Sequence, residues 1–516
     1  MSVSARISRL ASETAVYGVS SIVGRLINFL LFPLYSQVFD PDVYGPIGVI
    51  YAAFIFLNIL YQHGMESSYL KFATDRDELK GRSRAFSTAF VSLVVLSLGL
   101  SLIMWFSRAE VGSLIGLSDA FRNLLWYAAL ILFLDAVAVV PFADLRLRNR
   151  PWVFAVIRLV NISVNVVLNI VLIFVLDMGI EAILIANALA SLTSVILLIP
   201  FSWRRFSSFD AGLWKQMMRF GLPFIPGGLG YAVTERINVF FLAKMNPETV
   251  QRLYGLDASS HPDLNEKALS QGAHVFTEHI VGTYTGIIKL AVLMALFVQM
   301  FRYAWQPFFL QHQNDDDAPH LYGKVFSVLS LVLLTAFLGI SFLADELVRF
   351  PLPGDRTLIA STYWLGLSII PIALVGYVFQ GWYYHFSAGA YLRDKSRYFL
   401  HATLAGSVVA ITLNATLVPD YGMWAAALAT SAAYAVMSVT LLFLINRHYQ
   451  VSYAWLQVGS SVLLTAILFA LWYRIEILQV WWAELILIAG FSLTAMRILE
   501  IPLVDSVRSI LRSGNR

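Results

Sequence analysis

Apolar runs about as long as a membrane-spanning helix, separated by short polar segments, recur from residue 15 to residue 499. A helix crossing the hydrocarbon layer needs about 20 mostly apolar residues. Fourteen stretches meet that requirement: 15–38, 44–64, 85–106, 123–143, 152–176, 181–201, 220–243, 281–304, 325–344, 362–387, 398–418, 422–445, 455–473 and 480–499. The last contains WWAEL and ends at Arg497, so it is short and is expected to lie partly in the interface. The pattern predicts an all-α, polytopic membrane protein.

Composition agrees with the pattern. Of 516 residues 58% are apolar and 13% charged, against roughly 25% charged in a soluble domain. No single soluble domain of this length could cover itself with so little polar surface. The first thirteen residues, MSVSARISRLASE, lack the apolar core of a cleavable signal, so the first run is expected to remain as a membrane helix. With no cysteine in the chain, disulfides, zinc thiolate sites and thiol catalysis are excluded.

The loop charges set the orientation through the positive-inside rule. With the N-terminus in the cytoplasm, 23 of the 36 Lys and Arg residues fall inside, 8 outside and 5 within helices. The basic loops Lys71–Arg84, Arg146–Arg150, Arg204–Arg219 and Arg393–Arg397 alternate with nearly base-free ones. Both termini are therefore expected to be cytoplasmic. The acidic segment QHQNDDDAPH (311–320) also falls inside, but acidic residues weigh little in this rule. The net charge of +4 belongs mostly to these loops, so nucleic acid is not expected as a partner.

A weak internal repeat runs through the chain. At an offset of 240, Tyr44 meets Tyr284, Ile50 meets Leu290, Tyr61 meets Phe301, Glu66 meets Gln306 and Tyr69 meets Phe309. VYG (16–18) and RFG (219–221) open helices one and seven at an offset of 203. The difference of 37 roughly matches the extra length of the outside loop 245–280. Six spans separate the copies, so both keep the same orientation, and their axis runs along the membrane normal. Such a repeat predicts two six-helix lobes, residues 1–210 and 211–450, facing one cavity, with a C-terminal helix pair and tail at 451–516.

Ionisable groups inside spans cost ~2.5–3.5 kcal/mol on insertion scales and usually face protein or water. Arg25 lies near the middle of helix one, with Asn28 on the same face. Helix five carries Arg158, Asn161, Asn165 and Asn169 at a spacing of 3–4. Helix seven holds Glu235–Arg236, helix eight Lys289, helix four Asp135, and Glu66 ends helix two. Each has a bland reading beside the functional one. Arg158 is near enough to the cytoplasmic end to snorkel. Asn165 and Asn169 could glue helices together. Glu235 and Arg236 could partly neutralise each other, Glu66 could pair with Lys71, and Arg302 reads as an anchor at the membrane edge. Arg25 is the hardest to explain blandly.

The deep groups sum to four cations (Arg25, Arg158, Arg236, Lys289) and two anions (Asp135, Glu235). A cavity with surplus positive charge suits an anionic substrate such as a phosphate or pyrophosphate. Asp135, Glu235 and Glu66 are the candidates for proton or sodium coupling, because a desolvated carboxylate can titrate near neutrality. His261, His274 and His279 are too irregularly spaced to predict a metal site. Loop 245–280 is read as solvated, with one short helix at most. No GxxxxGK[ST], HExxH or GxSxG motif occurs, so neither an enzyme nor a cofactor is expected.

The opening LASETAVYGVSSIVGRLINFLLFPLYSQVFDPDVYG resembles the first helices of the bacterial polysaccharide and O-antigen flippases. HGMESSYLKF (63–72), PFADLRLRNRP (141–151), FGLPFIPGGLG (220–230) and YAWQPFFL (303–310) extend the resemblance over nearly the whole chain. That family belongs to the multidrug/oligosaccharidyl-lipid/polysaccharide exporter superfamily. The resemblance implies two lobes in a V, alternating access, and a cationic lumen for an undecaprenyl-pyrophosphate-linked oligosaccharide, here offered by Arg25, Asn28, Arg158, Asn161, Arg236 and Lys289. It also implies the cytoplasmic (inner) membrane, membrane lipid as a neighbour, lipopolysaccharide or related surface polysaccharide as the destination, and a monomer. Relatives often read Asp-Arg where this chain has Glu235–Arg236. The alternatives are a lipid II flippase and a drug/cation antiporter of the same superfamily. Outside transport they are a membrane glycosyltransferase, which would want an exposed acidic pair, and a scaffold of envelope assembly.

Overall fold

The computed structural model describes residues 29–74 and 79–501. Among these residues are the helical stretch 29–36, seventeen further α-helices and a single two-stranded hairpin, Pro351–Leu352 against Arg356–Thr357. The chain forms two compact units, Met1–Gly286 with Ala410–Ala429, and Ile287–Val409 with Thr430–Arg516.

In the first unit, α1 (Pro41–Gln62) starts with proline at its first position, where the missing N–H would have had no intrahelical partner. After His63, in the left-handed region at φ 36°, come α2 (Met65–Thr74), α3 (Leu79–Phe106) and the short α4 (Arg108–Ile115). The unit continues through α5 (Leu124–Leu147), α6 (Pro151–Ile170), α7 (Glu181–Ser202), α8 (Ala211–Gly221) and α9 (Phe224–Ala243). Its core near α2 gathers Met65, Tyr69, Phe86, Leu93 and Val140.

The basic segment Arg204–Arg219, read as a loop, contains α8. Asp210 accepts from the Leu213 N–H at 2.9 Å and caps the helix. Leu213 and Met217, one turn apart, then bury themselves in the core around Met65 and Phe86.

The loop 245–280 is also more ordered than the sequence suggested. It holds two helices, α10 (Pro247–Tyr254) and α11 (Pro262–Gln271), before α12 (His274–Gln311) begins. The Lys267 ammonium reaches Asp42 at 2.9 Å and Asp40 at 3.2 Å, pinning α11 to the start of α1. Burial alone would lower the pKa of Lys267, but its hydrogen bonds and the charges of the two aspartates outweigh that and raise it. Nearby, α1 and α12 touch backbone to backbone. A side chain on Gly45 would collide with the Glu278 carbonyl, and one on Gly282 with the Pro41 carbonyl.

The second unit comprises the rest of α12, α13 (Ala318–Val348), α14 (Ile370–Leu392), the flanks of α15 (Arg397–Asn446), α16 (Trp455–Arg474) and α17 (Trp481–Ile498). One of its cores joins Trp305, Phe309, Tyr322 and Ala388. The middle of α15 belongs to the first unit and breaks at Gly422 (φ 53°, ψ −130°). There the Met423 N–H donates to the Tyr254 hydroxyl at 2.7 Å, and a Cβ on Gly422 would strike that phenol.

Among the described residues eleven helices are long and apolar enough to cross a membrane. The difference from fourteen has three sources. The first run, 15–38, lies mostly outside the described residues, with 29–36 helical. The pair 398–418 and 422–445 is one interrupted helix, α15. The run 220–243 forms α9 but is not among the eleven; Thr234, Glu235, Arg236 and Asn238 make its second half polar.

Candidate substrate and coupling site

Four helices of the first unit bring polar groups together. On α5, the half-buried Asp135 accepts from the Ser191 hydroxyl of α7 at 2.7 Å. One turn earlier on α7, Asn187 donates its amide N–H to the Tyr51 hydroxyl of α1 at 3.1 Å. Arg158, on α6, carries its guanidinium 4.3 Å from the centre of the Phe142 ring. Its charge is within reach of Asp135, Glu66 and Arg146.

Arg158 is exposed, and its cation–π contact is the snug surface such a side chain uses when it runs along apolar neighbours. The asparagine stripe divides in two. Asn169 is fully buried, accepts from the Tyr35 hydroxyl at 2.8 Å and donates to the Asn165 carbonyl at 2.8 Å, which makes it helix-to-helix glue. Asn161 and Asn165 remain half-buried.

Glu66 does not pair with Lys71. It forms an ion pair with Arg146, at the last turn of α5. The Lys71 ammonium instead sits 4.1 Å from the centre of the Phe220 ring. A separation of five residues turns Lys71 well away from the face of Glu66 on a helix, whereas three or four would have aligned them.

A buried acid just beyond Glu66 escaped the sequence reading. Asp144 accepts from the Tyr69 hydroxyl at 2.8 Å, pairs with Arg148 at 2.9 Å and has Arg205 at 3.7 Å. Burial lowers the Arg148 pKa, and Asp144 offsets part of that shift. The signal lay in PFADLRLRNRP, where Asp144 and Arg148 stand four apart, the spacing of a helical ion pair.

On α9, Glu235 accepts from Tyr231, one turn earlier, at 2.9 Å, and Arg236 beside it is half-buried. Asn238 of the same helix donates to the Tyr284 hydroxyl at 2.6 Å. Lys289 lies half-buried on α12 in the second unit. Arg25 and Asn28 lie outside the described residues. Among the described residues no cluster of three potential ligands could hold a metal ion; His279 is buried with its ring 6.4 Å from that of His261.

Residues 34–255 match the family model described as polysaccharide biosynthesis protein. No curated protein matches by sequence. Among solved structures, the lipid II flippase MurJ in an inward closed conformation is similar with a TM-score of 0.71 at 14% identity, over 94% of this chain and 99% of that one. An inward-facing multidrug resistance MATE transporter of the MOP superfamily gives 0.59 at 14% identity, over 82% and 95%. A MOP-superfamily transporter from Pyrococcus furiosus gives 0.52 at 13% identity, over 86% and 94%. The family model supports the resemblance over residues 34–255, and the solved structures share the fold.

Proposed function

Starting from a multi-pass membrane protein with the fold of the MOP-superfamily flippases and transporters, we propose that this chain flips a polyprenyl-pyrophosphate-linked oligosaccharide across the bacterial cytoplasmic membrane for surface polysaccharide synthesis. The observation that carries the reading is the match of residues 34–255 to the polysaccharide biosynthesis family. Along the sequence the intramembrane cations Arg25, Arg158, Arg236 and Lys289 outnumber Asp135 and Glu235, which supports it, since a pyrophosphate is recognised by guanidinium forks. In this reading Arg25, Arg158, Arg236 and Lys289 hold the pyrophosphate, with Asn28 and Asn161 beside them. Two repeat-related lobes, 1–210 and 211–450, alternate access, and both termini are cytoplasmic. The protein acts as a carrier and not as an enzyme, as a monomer, and draws on a proton or sodium gradient.

A lipid II flippase is the second reading, favoured by the likeness to MurJ over nearly the whole of both chains. A drug/cation antiporter fits less well, because it would want an acidic lumen. The test is glycan export. Arg25→Ala and Arg236→Ala should each abolish surface glycan while the protein stays in the membrane, and Lys at either position should restore part of it. Normal export from both Ala variants would refute the cationic lumen. Rescue of peptidoglycan synthesis, with no effect on surface glycan, would favour the second reading.

A further inference from the structure

The second unit contains a cavity of ≈ 140 Å³ between α12, α14 and the start of α15. Arg302, Gln306, Tyr383, Tyr384, Ser387 and Tyr391 line it. Its floor is rigid. Trp305 and Phe309 are 3% and 1% exposed, and the Trp305 indole N–H donates to the His385 carbonyl at 3.1 Å. The same indole stacks on the His385 ring with centroids 4.6 Å apart.

Over this floor stand two kinds of surface. The phenol rings of Tyr383 and Tyr384 meet at 64°, their centroids 5.7 Å apart. Beside them, the Arg302 guanidinium lies 4.8 Å from the centre of the Tyr384 ring, with a long 3.4 Å contact to its hydroxyl. Gln306 adds an amide that both donates and accepts, and Ser387, whose hydroxyl donates to the Tyr384 carbonyl at 2.6 Å, adds an acceptor oxygen.

Resting on the flippase reading above, we infer that this cavity is a subsite for one sugar ring of the transported glycan. A sugar ring offers C–H groups on its faces, which suit the negative face of a phenol, and hydroxyls around its rim, which suit mixed donors and acceptors. A hydrocarbon tail would make no use of the polar lining that Arg302 and Gln306 supply. A pyrophosphate would call for more than one cation, and Arg302 is the one Lys or Arg side chain among the lining residues. The volume is below the ~300–1,000 Å³ of drug-sized sites, which limits the guest to about one ring. The repeat sharpens the point. Gln306 occupies the position of Glu66, whose carboxylate in the first unit pairs with Arg146. An amide in that place keeps both a donor and an acceptor for an uncharged guest.

The test uses the full chain in nanodiscs and short-chain prenyl-pyrophosphate probes. One probe is bare, and the others carry N-acetylglucosamine, galactose or rhamnose. Wild type should bind at least one sugar-bearing probe about tenfold more tightly than the bare one. Arg302→Gln and Gln306→Ala should erase most of that gain, the scale of one lost hydrogen bond to a charged or buried group, and leave affinity for the bare probe unchanged. Both side chains are exposed, so folding is expected to survive, and a monodisperse elution profile checks it. If no sugar adds affinity in wild type, or both variants keep the gain, the subsite is refuted while the flippase reading stands. If no probe binds, bare or sugar-bearing, the flippase reading falls and the subsite with it.

Discussion

Asp135, Glu66 and Asp144 are three acids of one unit, and their neighbours separate their roles. Asp144 is held by Tyr69, Arg148 and Arg205. Its removal would strand the half-buried Arg148 guanidinium, so Asp144→Ala should cost about 2–4 kcal/mol, less than for a fully buried pair. A thermal melt of the purified protein should then shift down by several degrees; an unchanged midpoint would show that the cluster contributes no stability. Glu66 is committed to Arg146, whereas Asp135 has a neutral hydroxyl as its direct partner and Arg158 only at a distance. Asp135 is therefore the strongest coupling candidate. Asp135→Asn should slow transport or flatten its response to a proton gradient, and Glu66→Gln should do so less. A wild-type gradient response in the Asn variant would make Asp135 a structural acceptor for Ser191. Sequence spacing exposed Asp135 and Glu66, because a polar residue in an apolar run is conspicuous, but missed the buried acids Asp42, Asp144 and Glu278, which stand at or near the ends of such runs. It could not give their partners, since Arg146 lies 80 positions from Glu66.

At the scale of elements, the long helices were legible because apolar length is a direct signature of a span. The short ones were not. α8 is too short to read as a span and α10 and α11 are polar on most faces, and their order comes from a few anchors: Leu213 and Met217 for α8, Tyr254 against the Gly422 break for α10, and Lys267 for α11. None of these anchors shows as a run. The Lys267 anchor yields a prediction. Lys267→Ala leaves Asp42, 5% exposed, without its cation, at a cost of about 1–3 kcal/mol for the unmet group. Limited proteolysis should then cut between 255 and 272 faster than in wild type, and Lys267→Arg should protect again. Equal cutting rates in all three proteins would mean that the ion pair does not hold the loop.

For the whole molecule, the apolar runs foretold a helical membrane protein, and the repeat and basic loops led to expectations about lobes and orientation. The orientation is open to direct measurement. Reporter fusions after Arg150, Arg205 and Arg397 should read cytoplasmic, and those after Asp42 or within 250–275 external. An external signal at Arg397 would overturn the fourteen-span arrangement. The substrate is a different matter, because the same fold serves a lipid II flippase and multidrug transporters and function resides in the groups that line the cavity. The most direct test is therefore transport itself. A fluorescent polyprenyl-pyrophosphate-linked oligosaccharide, placed in both leaflets of proteoliposomes, is quenched from outside with a membrane-impermeant reductant. Flipping predicts that protein-containing vesicles lose the protected fluorescence well ahead of empty ones, and that Arg236→Ala slows this loss about tenfold or more. A protected half as stable as in empty vesicles, with a lipophilic cation moved instead, would contradict the account.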